Sequence, residues 1–333
     1  MLIKEKIWER VTILTIILIP FSILFAFVSA AHRFLCRKIR DNQKNVISVP
    51  VIIVGNLTVG GTGKTPLVIH LSQELLKVGL QPGILSRGYG RTSKKILEVG
   101  VKSSIPEVGD EPKMIFNRLN KCPIFVGDDK HQVALTLVKK YPKVQVLISD
   151  DGLQHYKLRR DVEICVVDGT RLFGNGYLLP AGPMRESISR LKSVDLVVVK
   201  NGSVINFENT PCFNMKLDGK YIHNLQNPKL IKPLSFLKDQ DFDAVAGIGN
   251  PDHFFKLLEE QKLNFKTHRF PDHHLFSKDD FSFDNGEPLI MTEKDAIKCK
   301  KFANKNWWML RVDAIIGDNF AEIVLNKIKN SHG

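Results

Sequence analysis

Cysteine is scarce in this chain, and what there is stands apart. The five cysteines, Cys36, Cys122, Cys165, Cys212 and Cys299, are odd in number and form no Cys-x-x-Cys pair. That excludes a disulfide framework and a cysteine-built zinc site, and it fits reduced thiols in a cytosolic compartment. Acidic residues are also in short supply: 35 Asp and Glu face 48 Lys and Arg, a net charge of +13 over 333 residues. An excess of that sign calls for an acidic partner, whether nucleic acid, an anionic membrane surface or a phosphorylated substrate. Internal repeats and low-complexity tracts are missing. With 43% hydrophobic and 25% charged residues the composition is ordinary for a globular protein, which excludes widespread disorder. A chain of this length can bury a sizeable core and divide into two domains. No segment interleaves aromatic and basic residues in a stacking pattern, which argues against a nucleic-acid partner.

Glycine, by contrast, is concentrated where it matters. Val51-Ile-Ile-Val-Gly-Asn-Leu-Thr-Val-Gly-Gly-Thr-Gly-Lys-Thr-Pro66 runs from a β-branched apolar stretch into a glycine-dense loop, and Leu67 to Leu76 then carries apolar residues at helical spacing. Strand, loop and helix in that order are the context a phosphate-binding loop requires. Gly60, Gly61 and Gly63 let backbone N–H groups turn toward phosphate oxygens, and the helix N-terminus adds its positive end. Thr58, Val59, Gly60, Gly61, Thr62, Gly63, Lys64 and Thr65 are therefore the candidate nucleotide-binding residues. Lys64 would reach the β- and γ-phosphates and the Thr65 hydroxyl would ligate Mg²⁺. Thr58 stands where the general motif has glycine. A nucleoside triphosphate is the predicted ligand.

Charge is absent from one long segment near the start. From Val11 to Ala31 no residue is charged, with Glu9-Arg10 and His32-Arg33 on either side. That length matches a helix crossing a hydrocarbon core, and Pro20 near its middle would kink it, as membrane helices tolerate. Arg33, Arg37, Lys38, Arg40 and Lys44 follow, against a lone Asp41, so the positive-inside bias places everything downstream in the cytoplasm. Val28-Ser-Ala-Ala31 resembles a signal-peptide cleavage site. The apolar run is nevertheless longer than a usual signal core, and cleavage would strand a triphosphate-using domain outside the cell. Membrane association is expected; a spanning helix, a helix lying in the interface and a buried soluble helix stay open.

Past the loop, strand-like and helix-like segments alternate, which predicts an α/β fold with a mainly parallel sheet. Lys143 to Ser149 is an apolar approach to Asp150-Asp151-Gly152, and in phosphate-loop proteins a strand of this kind lies beside the loop with its terminal Asp near Mg²⁺. Both carboxylates are metal candidates, with neither preferred. Arg87 and Arg91 sit in a glycine-rich loop after a short strand and read equally as anion ligands or as a solvated turn. The Gly- and Pro-rich passage from Leu172 to Glu186 is too long and apolar for a plain connector, so it predicts a substrate-binding loop. Glu107-Val-Gly-Asp110-Glu111-Pro112 gathers three carboxylates in a turn, and Phe270-Pro-Asp-His273-His274 offers two histidines. A hydroxyl-phosphorylating enzyme uses an Asp as proton acceptor, and a His can poise it. The texture changes near Phe207 to Lys220, which suggests three parts: 1–40, an apolar helix with a basic flank; 41–207, a phosphate-loop domain; and 208–333, a smaller α/β domain.

Taken together, these segments resemble one family. Gly55 to Pro66, Ser86-Arg-Gly-Tyr-Gly-Arg91, Val108-Gly-Asp-Glu-Pro112, Asp150-Asp-Gly-Leu-Gln-His155, Leu179-Pro-Ala-Gly-Pro-Met-Arg-Glu186, Gly247-Ile-Gly-Asn-Pro251, Phe270-Pro-Asp-His-His274 and Thr292-Glu-Lys-Asp295 follow one another through most of the chain. In that order they resemble the tetraacyldisaccharide 4′-kinases, membrane-associated kinases of lipid A biosynthesis. Thr58 is part of this likeness, whereas Gly127-Asp128-Asp129-Lys130 departs from it and receives no role. The resemblance implies a three-layer α/β/α phosphate-loop domain closing on a second, smaller α/β domain. It also implies ATP with Mg²⁺, and an acylated glucosamine disaccharide phosphate as the lipid acceptor. Residue by residue, Asp110 looks like the catalytic base, His273 or its neighbour His274 its partner, and Lys64 the phosphate-loop lysine. Asp150 and Asp151 fall in the metal and phosphate region, and Arg185 and Glu186 among substrate-loop residues. A monomer at the cytoplasmic face of the inner membrane is expected. The competing expectation is a membrane-associated NTPase switch that hydrolyses nucleotide without an acceptor.

Overall fold

The computed structural model describes residues 8–42, 46–202, 207 and 210–331. Within them, thirteen strands join one sheet. In chain order these are β1 (Val51–Gly55), β2 (Pro82–Ser86), β3 (Leu97–Glu98), β4 (Ile124–Val126), β5 (Val146–Asp150), β6 (Val162–Asp168) and β7 (Leu196–Lys200). They continue as β8 (Cys212–Asn224), β9 (Ile231–Pro233), β10 (Phe242–Ala246), β11 (Phe265–Arg269), β12 (Leu289–Thr292) and β13 (Trp307–Ile316). The helices are α1 (Ile13–Asp41), α2 (Lys64–Lys77), α3 (Ile105–Val108), α4 (Asp110–Arg118), α5 (Lys130–Lys140), α6 (Pro251–Glu260), α7 (Glu293–Cys299) and α8 (Phe320–Ser331). The strand order is β11-β10-β12-β13-β8-β7-β6-β1-β5-β2-β4-β3, with β9 added to β8.

The apolar strands of the first half behave as their composition predicts. Every residue of β1, β5, β6 and β7 is buried, because parallel strands are covered on both faces. Side chains alternate between faces: Ile52 and Val54 enter a core shared with Leu67, Leu71 and Leu75 of α2, while Val51 and Ile53 enter a second core with Val133 and Leu137 of α5. This is the expected α/β/α layering. In the second half, β10 and β12 bury Phe254, Phe255 and Leu258 of α6 on one face and Phe276, Phe281 and Trp307 on the other.

Strand β8 holds the two halves together. It runs parallel to β7 from Cys212 to Met215 and antiparallel to β13, with a register shift between Arg311 and Asp313. The chain then returns: Ala314, Ile316, Phe320, Val324 and Ile328 bury in the first half's core beside α2. The proposed domain border at 207/208 falls in a stretch where only Phe207 is described between residues 203 and 209.

Helix α1 inverts the usual amphipathic logic. Its buried residues are Thr15, Ser22 and Cys36, while Ile13, Ile17, Phe21, Leu24, Phe27, Val28 and Phe34 are all more than half exposed. Ser22 Oγ donates to the Leu178 carbonyl at 2.8 Å and accepts from Ala181 N at 3.0 Å, so a small hydroxyl docks the helix on the passage from Leu172 to Glu186. Trp8 Nε1 donates to Pro180 O at 3.1 Å, and Arg33 faces Glu186 at 3.7 Å. The helix is long and apolar enough to cross a membrane. Lys44, counted above in its basic flank, lies outside the described residues.

Candidate active site

The glycine loop joins β1 to α2 as the sequence predicts. Gly60 and Gly63 adopt φ of +101° and +91°, a region that penalises a side chain and leaves the backbone free to turn. Thr58 is not among the residues with positive φ, so this position has no need of glycine. It is buried and bridges to Met184, and Val59 N donates to the Pro183 carbonyl at 2.9 Å. The Leu172–Glu186 passage thus lies against the phosphate loop. Lys64 begins α2, with Nζ 3.2 Å from Asn56 Oδ1 and 3.5 Å from Asp151 Oδ1. Thr62 Oγ1 is buried without a partner among the described residues, an orphan that a phosphate oxygen would satisfy.

Strand register brings the two carboxylates to this loop. Val54 pairs with Asp150 across β1 and β5, so the acidic end of β5 meets the start of the glycine turn. Asp150 is buried, and its Oδ1 also has no partner among the described residues. Burial and the nearby Glu111 carboxylate push its pKa upward against the pull of Lys64 and Lys130. Asp151, at φ +49°, turns the other way. Burial opposes its charge, but Lys64, Arg185 and Lys130 hold it well below the usual carboxylate range. Arg185 Nη1 lies 3.2 Å from Asp151 Oδ2.

The orphan Asp150 oxygen and the Thr65 hydroxyl suit a divalent ion in chemistry. Among the described residues no three His, Cys, Asp or Glu side chains converge on a metal position. An ion here would draw most of its ligands from phosphate oxygens and water, as Mg²⁺ does in nucleotide sites.

Lys130 is the residue that sequence reasoning missed. Gly127-Asp128-Asp129-Lys130 departs from the family pattern and receives no role from the sequence, yet Lys130 is 1% exposed. Its Nζ donates to Ser149 Oγ at 3.1 Å, to the Asp151 carbonyl at 3.0 Å and, closer still, to the Asp150 carbonyl. Burial lowers its pKa, and Asp151 and Asp150 oppose that. A usable signal existed: Asp129 Oδ1 caps α5 by accepting from His131 N and Gln132 N, which places Lys130 at the first helical position rather than in a turn.

Asp110 and His273 come from opposite halves of the chain and meet. Asp110 is not in a turn, as expected from the acidic cluster, but opens α4, and Glu107 instead closes the capping box of α3 with Ser104. Gly109, at φ +90°, lets α4 start where a Cβ would press on Gly88 backbone at 3.0 Å. Asp110 Oδ2 lies 2.8 Å from His273 Nδ1, across 163 residues of sequence. His274 makes a different contact, with Asp280 at 3.1 Å, so the doublet is divided. Lys294 and Lys298 stand 3.6 and 3.8 Å from Asp110 Oδ2. Burial alone would raise the Asp110 pKa, but the His273 hydrogen bond and the charges of Lys294, His273 and Lys298 bring it below the ordinary value. The same hydrogen bond raises His273, against burial and Lys294.

The remaining candidates separate. Arg91 is almost wholly buried beside Asp128 at 3.3 Å, whereas Arg87 is 60% exposed. Glu186 is buried and accepts from Gln154 at 2.8 Å and from Tyr156, which makes it a strut between loop and body.

A family model described as Tetraacyldisaccharide-1-P 4'-kinase matches residues 14–329. The chain belongs to the tetraacyldisaccharide 4′-kinase family. A Methylobacillus flagellatus tetraacyldisaccharide 4'-kinase is 46% identical over 97% of this chain and 95% of its own length. The Shewanella sediminis protein of the same name is 42% identical over 95% and 92%. The crystal structure of LpxK from Aquifex aeolicus in complex with ATP superposes with a TM-score of 0.82, at 30% identity, over 95% of this chain and all of that one. The α/β fold expected for a family member, N-terminal apolar helix included, is the one observed.

Proposed function

We propose that this chain transfers the γ-phosphoryl group of ATP to the 4′-hydroxyl of a tetraacyldisaccharide 1-phosphate, with Asp110 as general base. The observation that carries the assignment of roles is the Asp110–His273 contact beside the carboxylate end of the phosphate loop. The charge of Glu111, the next residue along α4, acts on Asp150, which supports reading the pair as part of the same site.

The chemistry follows from the groups present. The loop from Thr58 to Thr65 holds the phosphates, and Lys64 neutralises charge on the transferring group. Mg²⁺, held by Thr65 with Asp150 or Asp151, would supply further charge neutralisation. Lys294 and Lys298 keep Asp110 ionised, and His273 fixes its orientation. An ionised carboxylate in this position accepts the hydroxyl proton as the new P–O bond forms. Arg185, paired with Asp151, is placed to meet the acceptor.

Helix α1 is read as lying in the membrane interface rather than crossing it. Ser22 and Arg33 of the helix, and Trp8 just before it, contact the body, while its apolar face from Ile13 to Phe34 is open. That arrangement holds the site at the cytoplasmic face of the inner membrane, where the lipid acceptor resides. A phosphoryl-transfer assay with labelled ATP tests the reading. Label should appear on the acylated disaccharide. Hydrolysis at an equal rate without that acceptor would replace the kinase by a nucleotide switch.

A further inference from the structure

One guanidinium beside the phosphate loop is unclaimed. Arg171 stands in the turn after β6, just before the Leu172–Glu186 passage, and its side chain lies over Gly60. A Cβ on Gly60 would meet Arg171 Nη2 at 3.1 Å and Nη1 at 3.3 Å, with Cζ farther off at 3.7 Å. The forked edge of the guanidinium therefore faces the loop, and the missing side chain at Gly60 leaves it that room. Arg171 Nε is buried with no hydrogen-bond partner, and among the described residues no carboxylate pairs with the guanidinium. Arg185, at the other end of the same passage, is by contrast tied to Asp151 at 3.2 Å.

The acid nearest in sequence, Asp168, is already committed. Lys200 Nζ lies 2.6 Å from its Oδ2, both side chains being buried, and its Oδ1 accepts from Thr170 N at 3.0 Å and Arg171 N at 3.3 Å. Burial raises the Asp168 pKa, and Lys200 lowers it more than Arg171 does. Asp168 thus fixes the backbone of the turn and leaves the guanidinium without a counterion. The stem of Lys200 also supports the loop, since a Cβ on Gly63 would lie 3.0 Å from its Cδ. Turn and loop rest on one buried ion pair. A buried N–H left unmet costs stability, and position says which anion would meet it. The residues ahead of the final Gly-Lys of a phosphate loop wrap the β- and γ-phosphates. Gly60 is on that stretch, nothing lies within 4 Å of a Cβ placed on Gly61, and Thr62 Oγ1 is a second unmet polar atom.

We propose that Arg171 is a catalytic residue, a guanidinium supplied by the chain itself that holds the γ-phosphoryl group as it transfers; this rests on the kinase reading above. In the transfer the acceptor oxygen bonds to the γ-phosphorus while the bond to the β–γ bridging oxygen breaks. The hydroxyl proton passes to Asp110, and ADP leaves with the bridging electron pair. Charge on the oxygens around the γ-phosphorus is redistributed meanwhile. A fork of N–H groups beside Gly60 stabilises that charge and changes no bond of its own.

The test compares full-length wild type with Arg171→Ala and with Arg171→Lys, which keeps the charge and the stem but not the fork. Label transfer to the acylated disaccharide gives kcat, calorimetric titration gives the Kd for ATP, and thermal unfolding gives Tm. Arg171→Ala should lose about 10³-fold in kcat with ATP affinity and Tm nearly unaltered, the pattern of an interaction made in the transition state. Added guanidinium should restore part of that rate in Arg171→Ala, beyond what sodium chloride of equal ionic strength does. Arg171→Lys should also fall below wild type and gain nothing from guanidinium, because its own stem fills the space. Wild-type kcat in Arg171→Ala overturns the proposal. So does weaker ATP binding with kcat at saturation retained, which makes Arg171 a ground-state ligand only. A fall in kcat that guanidinium does not relieve and that comes with a lower Tm is a packing role and overturns it too. Should Arg171→Ala not fold, Arg171→Lys decides by the same split between kcat and Kd. If wild type labels no acceptor, the kinase reading itself fails, and the kcat loss is then sought in ATP hydrolysis.

Discussion

The loop from Thr58 to Thr65 and the Asp110–His273 pair contribute to one site by opposite routes. The loop is a run of neighbours whose geometry comes from glycine torsions and the start of one helix. The pair joins groups 163 residues apart, and it exists only while α4 and the turn after β11 stay in register. A site built from consecutive residues is robust to motion between the halves, whereas one built across them can be made or unmade by that motion. On the proposed assignment, the nucleotide loop lies within the first half, whereas the Asp110–His273 pair requires both.

Breaking the cross-half element should produce the largest kinetic effect. Asp110→Asn is expected to lower kcat by about 10²–10⁴-fold, the usual worth of a positioned base, with nucleotide affinity retained. Wild-type kcat in that variant would remove Asp110 from the mechanism. Lys64→Ala should cost about 10²–10³-fold in kcat and, unlike the first variant, weaken nucleotide binding as well; calorimetric titration separates the two. Arg118→Gln probes the tie itself. Arg118 Nη2 donates to Glu293 Oε2 at 2.6 Å, both side chains being buried, so the change leaves the carboxylate with only the longer Arg311 contact at 3.6 Å. About 3 kcal/mol of stability should be lost, read as a shift in denaturant midpoint.

The smallest effects concern pH. His273→Ala removes the hydrogen bond that lowers the Asp110 pKa, so burial should carry the acid limb of kcat/KM to higher pH. His274→Ala, whose partner is Asp280, should leave that limb in place. An equal shift in both would erase the distinction between the two histidines. Stability has the corresponding signs. The lowered Asp110 carboxyl contributes above its ordinary 3.8 and loses that contribution as pH falls through its folded value. The raised His273 imidazole contributes below its ordinary 6.5 and loses it as pH rises through its folded value.

The same division explains what could be read beforehand. The phosphate loop, its strand and the carboxylates of β5 were legible because their signals are contiguous: a β-branched run, glycines, a lysine, then a second apolar run ending in acid. The partner of Asp110 was narrowed only to a doublet, since nothing in Asp272-His273-His274 says which ring turns inward. The backbone decides it, with His273 at φ +60°. Lys130 was illegible for a different reason. A lysine between two acids and a histidine has the composition of a surface, and only the packing of α5 against the β5 terminus buries it. Arg118 was equally silent, because it looks like an ordinary helical charge until the halves are brought together, and its partner Glu293 entered only as part of Thr292-Glu-Lys-Asp295, without a role.

The return of α8 to the first half has a consequence for synthesis. Phe320 packs 5.3 Å from Phe213 and 6.5 Å from the His70 ring of α2, ring centre to ring centre. The helix that carries Lys64 is therefore covered, on one face, by residues that come far later in the sequence. Domains usually fold as they emerge, N-terminal part first, but the core of this half is incomplete until Phe320, Val324 and Ile328 have been made. Chains stalled before residue 313 should remain open to protease at α2, and the released chain should not; equal protection in both would show that the first half closes without its final helix.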